Sequence, residues 1–147
     1  MLAAALTLQC ASPSHAAAPS HAINWQTQGR EVVCGITEVH GTAFDPGTGA
    51  PENGRWPGLQ CSAPGIPRAP RGIGDPFVQL GQGVAGRARL VDLSQDDLIS
   101  DEAFVPLRAG STWSRYGIRC HVATNAIACA NGFGHGFTLA PGHVRLH

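Results

Sequence analysis

Four histidines in the last third of the chain, His121, His135, His143 and His147, come nearest to chemistry by type and spacing. Imidazole binds zinc and moves protons near neutral pH. The spacing His143-x-x-x-His147 suits two ligands on one helical turn. Pro141-Gly142 and the strand-like run His-Val-Arg-Leu-His oppose a helix there. With the cysteines committed elsewhere, a metal would need three histidines or added carboxylates, so no metal or other cofactor is expected. His135 is the most distinctive of the four, set in Gly134-His135-Gly136-Phe137. One reading makes it a ligand or acid–base group exposed between glycines. The favoured reading has its ring bond a nearby backbone group, the glycines serving an unusual backbone conformation.

Other catalytic sets are weaker. A Ser-His-Asp hydrolase needs its serine on a sharp turn, and no Gly-x-Ser-x-Gly is present. Ser94, Ser111 and Ser114 read as ordinary turn or strand residues. Asp92, Asp96, Asp97, Asp101 and Glu102 could supply a carboxylate pair, but a solvated acidic surface is the simpler account. Phosphate loops, dinucleotide fingerprints and basic stripes are not evident. Among the tryptophans, Trp113 reads as core. Trp56, beside Arg55 and Pro57, either folds back on the core or forms a contact surface with Arg55. Arg55, Trp56 and His135 are therefore the candidate binding residues.

The cysteines define the elements that must hold these groups. Four follow Cys10, and four cysteines allow three pairings. Ile118 to Asn131 reads as a hairpin turning at Thr124-Asn125. That register sets Ala123 against Ala126, Val122 against Ile127, His121 against Ala128, and Cys120 against Cys129. The cysteines then fall at a non-hydrogen-bonded pair, with Cα atoms about 4.5 Å apart, close enough for a disulfide. Ile118, Cys120, Val122, Ile127 and Cys129 share the buried face. Cys34 and Cys61 remain for each other, on strands at Glu31–Thr37 and Gly58–Ser62. Between these lies a long loop, Glu38 to Pro57, rich in Pro, Gly and Asn. The chain-entropy account assigns about 3 kcal/mol to the hairpin bridge and about 3.5 kcal/mol to the longer one. The two cysteine pairs resemble a decayed internal repeat.

The remaining pattern is β throughout. Pro64 to Pro76 reads as a linker or surface loop. Strands are expected at Phe77–Leu80, Arg87–Leu93, Phe104–Leu107, Ser111–Trp113, Phe137–Leu139 and His143–Leu146. A single helical turn is expected at Ser94–Ile99. Pro106 places its strand at a sheet edge. With 147 residues, 19 Gly and 11 Pro, the chain predicts one all-β domain, a small sandwich or barrel of about eight to ten short antiparallel strands.

Met1 to Leu8 is apolar, and Ser14-His15-Ala16 and Ser20-His21-Ala22 have the small-x-small form of a signal cleavage site. Residues 1–22 are read as a signal peptide and 23–147 as the domain, the alternative being an Ala-rich tail. Gln9 opposes lipidation of Cys10. At 43% hydrophobic and 14% charged residues the chain is too apolar to be disordered. Its formal net charge of zero offers no electrostatic case for nucleic acid or an acidic membrane, and no later segment is long and apolar enough to span one.

The motifs also resemble a family of small exported proteins of unknown function from mycobacteria and other actinobacteria. The resemblance rests on Leu107-Arg108-Ala109-Gly110-Ser111-Thr112-Trp113, the Cys120/Cys129 hairpin, and Gly134-His135-Gly136-Phe137-Thr138-Leu139. It covers the last forty residues or so closely. Before the first bridge, Gly29-Arg30-Glu31-Val32-Val33-Cys34 departs from the family's Ser-Gly-Asn-Ile-Gly-Cys. The resemblance implies export and two disulfides, and implies no activity. The expected function is a secreted or envelope-associated, non-enzymatic module binding a protein or glycan of the envelope or host through the 38–57 loop. The rivals are a small secreted hydrolase centred on His135 and a secreted protease inhibitor.

Overall fold

A computed structural model describes residues 18–44, 48, 50–70, 73–93 and 103–147. Eleven strands form two sheets: β1 (Asn24–Thr27), β2 (Val33–Phe44), β3 (Pro51–Ser62), β4 (Asp75–Leu80), β5 (Arg89–Leu93), β6 (Val105–Leu107), β7 (Thr112–Arg115), β8 (Ile118–Val122), β9 (Ile127–Asn131), β10 (Gly136–Ala140) and β11 (His143–Leu146). The first sheet has the order β5-β4-β3-β2-β1-β6 and the second β11-β10-β9-β8-β7. All pairs are antiparallel except β1 with β6. The domain is all-β, as its composition predicts. The helical turn expected at Ser94–Ile99 lies outside the described residues.

Both disulfides form as drawn. Cys34–Cys61 joins β2 to β3 with a Cα separation of 4.1 Å, and Cys120–Cys129 joins β8 to β9 at 4.0 Å. The second hairpin has the expected register at every pair, down to the Ala123 N–H donating to the Ala126 carbonyl at 2.8 Å. Its alternation follows from period-two patterning. Ile118, Cys120, Val122, Ile127 and Cys129 are buried, while Arg119, His121 and Ala128 are exposed.

The core lies between the sheets. Leu59, Val78 and Leu80 from the first meet Ile118, Val122, Ile127, Phe137 and Leu139 from the second. At its centre Trp25 stacks on Trp113, ring centroids 5.7 Å apart and planes inclined by 29°. Trp25 pairs in register with Cys34, and Trp113 with Cys120. On the far side of each cystine, Cys61 pairs with Val78 and Cys129 with Phe137. Each sheet thus contains a five-strand meander with a tryptophan on its first strand and a cystine between its second and third, β6 being added beside β1 in the first sheet. This shared plan gives structural form to the repeat hinted at by the cysteine spacing.

The segment 38–57 corrects an expectation. It is not a long loop. β2 and β3 stay paired from Val33–Ser62 out to Phe44–Pro51, making a twelve-residue arm. Its Pro and Gly content imitates a loop, yet each residue fits the ladder. Pro51 opens β3, where a missing N–H is tolerated. The Pro57 carbonyl accepts from Gln82 Nε2 at 2.6 Å, away from β2. A strand residue's nitrogen lies on the same side as its carbonyl, so Pro57 removes no β2–β3 bond. β1 is a strand that the sequence pattern does not predict. The chain from Asn24 is a strand between β2 and β6, and Trp25 is fully buried.

Candidate functional site

The expected site residues sit on different elements. Arg55 and Trp56 lie on β3, opposite His40 and Val39 of β2. Arg55 is exposed and Trp56 half-buried. Trp56 stands outside the core cluster. Its indole lies along its own strand over Gly54, where an added Cβ would come within 3.4 Å of Nε1. That N–H is shielded and has no hydrogen-bond partner among the described residues.

His135 sits in the turn between β9 and β10. Its Nε2 bonds the Val84 carbonyl at 2.9 Å. No serine hydroxyl or carboxylate bonds its ring among the described residues, and Gly134 takes a φ of 83°. His121 and His143 face the outside of the second sheet, and His147 pairs through its backbone with Gly136. No group of three or more metal-type side chains occurs among the described residues. Ser111 Oγ donates to the Arg108 carbonyl at 2.6 Å. Asp92 accepts the Ala69 N–H at 2.8 Å. Ser94, Asp96, Asp97, Asp101 and Glu102 lie outside the described residues, as does most of the arm's tip, where a protease-inhibiting loop would have to sit.

What connects Trp56 and His135 is a loop that composition alone makes look like a simple turn. Residues 81–86, Gly-Gln-Gly-Val-Ala-Gly, join β4 to β5 and lie against the arm. The Gln82 carbonyl accepts the Thr42 N–H at 2.9 Å, and its side chain reaches Pro57. The approach is close. A Cβ on Gly81 would sit 2.0 Å from the His40 carbonyl oxygen. Gly83 combines a φ of 64° with a would-be Cβ 2.5 Å from the Thr42 oxygen. Only glycine meets both demands.

On the loop's other side is Asn131, at the end of β9 and 6% exposed. Its Nδ2 donates to the carbonyls of Gly81, Gly83 and Gly86 at 3.1, 3.0 and 3.2 Å. Its Oδ1 accepts the N–H groups of Phe133 and His135 at 2.9 and 3.3 Å. One amide therefore ties the second sheet to the loop that braces the first sheet's arm. The spacing Gly81-x-Gly83-x-x-Gly86 is that of a dinucleotide fingerprint, which corrects the expectation that none is present, but the chemistry is opposite. Such a loop leads into a helix and points N–H groups at phosphate. Here it joins two antiparallel strands, and carbonyls converge on a donor from the same chain.

The chain matches no protein-family model, no curated protein and no solved structure.

The Asn131 bonds carry a prediction. Asn131→Ala removes bonds to three carbonyls and two N–H groups in a shielded site, at about 1–3 kcal/mol per group left unsatisfied, although the Gly83 carbonyl keeps the Gly86 N–H at 3.2 Å. A net loss of about 2–4 kcal/mol is expected from urea unfolding. Asn131→Asp, which sets an oxygen against those carbonyls, loses at least as much. A midpoint unchanged in both variants would contradict the role given to this side chain.

Proposed function

We propose that the chain is an exported, non-enzymatic module that binds a protein or glycan through the β2–β3 arm. The observation that carries this reading is the outer half of the arm. Residues 38–44 and 51–57 pair with each other and with no other strand, since β1 reaches only residues 33–35 and β4 only 59–61. The arm presents Arg55 and Trp56, and Gln82 braces it from one side. A projecting hairpin held in this way loses little freedom on binding, which favours affinity. Tryptophan and arginine are the residues that most often dominate a contact.

Two disulfides are compatible with an oxidising, extracytoplasmic location. The resemblance to small exported actinobacterial proteins supports the same location. No helix among the described residues is long and apolar enough to cross a membrane. The arrangement of residues 20–22 bears on processing. Ser20 bridges Trp113 in parallel, its N–H donating to the Thr112 carbonyl at 2.8 Å. The Trp113 indole donates to the Ala22 carbonyl at 2.8 Å. Cleavage after Ala22 would remove the Ser20 bonds and put a new terminus beside Trp113. Cleavage after Ala16 would keep both, and is the site we favour.

Two outcomes are expected. Intact mass of the exported protein will place its first residue at Ala17; a mature chain beginning at Ile23 refutes the preference for Ala16. In affinity capture from envelope and culture fluid, Trp56→Ala will weaken the captured partner by at least about tenfold, with Arg55→Ala adding to the loss. Unfolding midpoints should change little, because Trp56 lies outside the core. A Trp56→Ala protein that holds every partner at full affinity refutes the arm.

A further inference from the structure

The zero net charge conceals a separation. Up to Glu102 the chain has six Arg against ten carboxylates, and after it four Arg against no Asp or Glu at all. The second sheet lies wholly within the latter part. Two of its arginines stand on the outer face. Across β8, β9, β10 and β11, His121, Ala128, Thr138 and Arg145 form one row in register. Arg119 lies two residues along β8, and His143 two residues along β11. Arg119, His121, His143 and Arg145 are exposed. None has a side-chain hydrogen bond or ion pair among the described residues. Between these β8 and β11 residues, which form two walls, is a shallow hollow of about 310 Å3, floored by Ala126, Ala128, Thr138 and Ala140 and flanked by His121 and His143, with Arg119 and Arg145 outside its lining on the same two strands. Three strand spacings separate the walls, roughly 14 Å.

We infer that this face binds a linear polysaccharide bearing carboxylate or sulfate groups, laid along β9 between the two cationic walls. Charge complementarity selects a polyanion, with no carboxylate side chain on the sheet to oppose it. The floor selects a glycan over an acidic peptide. The backbone groups of β8, β9 and β10 are engaged in their own ladders, so the face offers none to a second chain. A peptide lying there would press its amides against alanine methyls without partners. A sugar ring turns its C–H face to the methyls and keeps its hydroxyl groups by Thr138, while charged groups projecting from the chain meet Arg119 and Arg145 beyond the hollow. The inference goes beyond the arm reading and uses a different surface.

The test is titration of the full mature protein at low salt with a heparin-derived oligosaccharide, a uronic-acid oligosaccharide, polyglutamate and neutral dextran. At least one anionic glycan is expected to bind, more weakly as salt rises, with polyglutamate at least tenfold weaker and dextran silent. The double variant Arg119→Gln/Arg145→Gln should lose at least tenfold in glycan affinity. Ala128→Glu, on the exposed floor, should lose as much. Arg68→Gln/Arg87→Gln, which removes the same charge from the first-sheet side, should bind as wild type. Unfolding midpoints establish that each variant is folded. Failure of both anionic glycans to bind overturns the inference. So does polyglutamate matching the glycan, or wild-type affinity in the Arg119/Arg145 and Ala128 variants.

Discussion

The stacking of Trp25 on Trp113 is the contact on which the rest of the molecule depends. Each ring comes from a different sheet, and each sits in register beside a cystine. Both tryptophans are completely buried. Aromatic pairs of this kind add about 0.5–1.5 kcal/mol beyond the burial of their surface. The cystines contribute mainly by restricting the unfolded chain. The tryptophans then give the two restricted halves one way to meet. The Ser20 bridge to Trp113 and the Trp113 bond to Ala22 close the same region from outside.

The parts of this arrangement legible in the sequence are those with short-range causes. A two-residue turn and period-two burial set the register of the Cys120–Cys129 hairpin, so every pair could be placed. Pro106 marked an edge strand, and β6 is one. The arm was hidden because Pro51, Gly54 and Pro57 are residues of turns as well as of tolerant strand positions. Which role they play depends on where the neighbouring carbonyls point, and that is a tertiary matter. Trp25 was hard to place because β1 is four residues long and its partners, β2 and β6, are far apart in the chain.

The link between loop 81–86 and Asn131 was illegible for a related reason. Composition shows three glycines and an asparagine some fifty residues apart, and nothing local connects them. The order of charges, by contrast, was open to inspection. Net charge discards position, and position is what separates an acidic first part from a basic second sheet. The candidate residues Arg55, Trp56 and His135 were chosen as chemically unusual. The structure sets them on different elements, His135 tied to Val84 of the bracing loop and Arg55 and Trp56 out on the arm that the loop supports through Thr42 and Pro57.

With the core given over to cystines and tryptophans, function is left to surfaces the scaffold holds still. The arm projects from the first sheet, and the cationic face belongs to the second. Both depend on the sheets keeping a fixed relation, so the central claim is that Trp25 and Trp113 couple the two halves energetically. A double-mutant cycle tests this most directly, with Trp25→Leu, Trp113→Leu and the pair compared by urea unfolding of the oxidised protein. The account predicts non-additivity of about 1 kcal/mol or more. Single losses that sum to the double loss within about 0.3 kcal/mol, the range expected of independent sites, would contradict it.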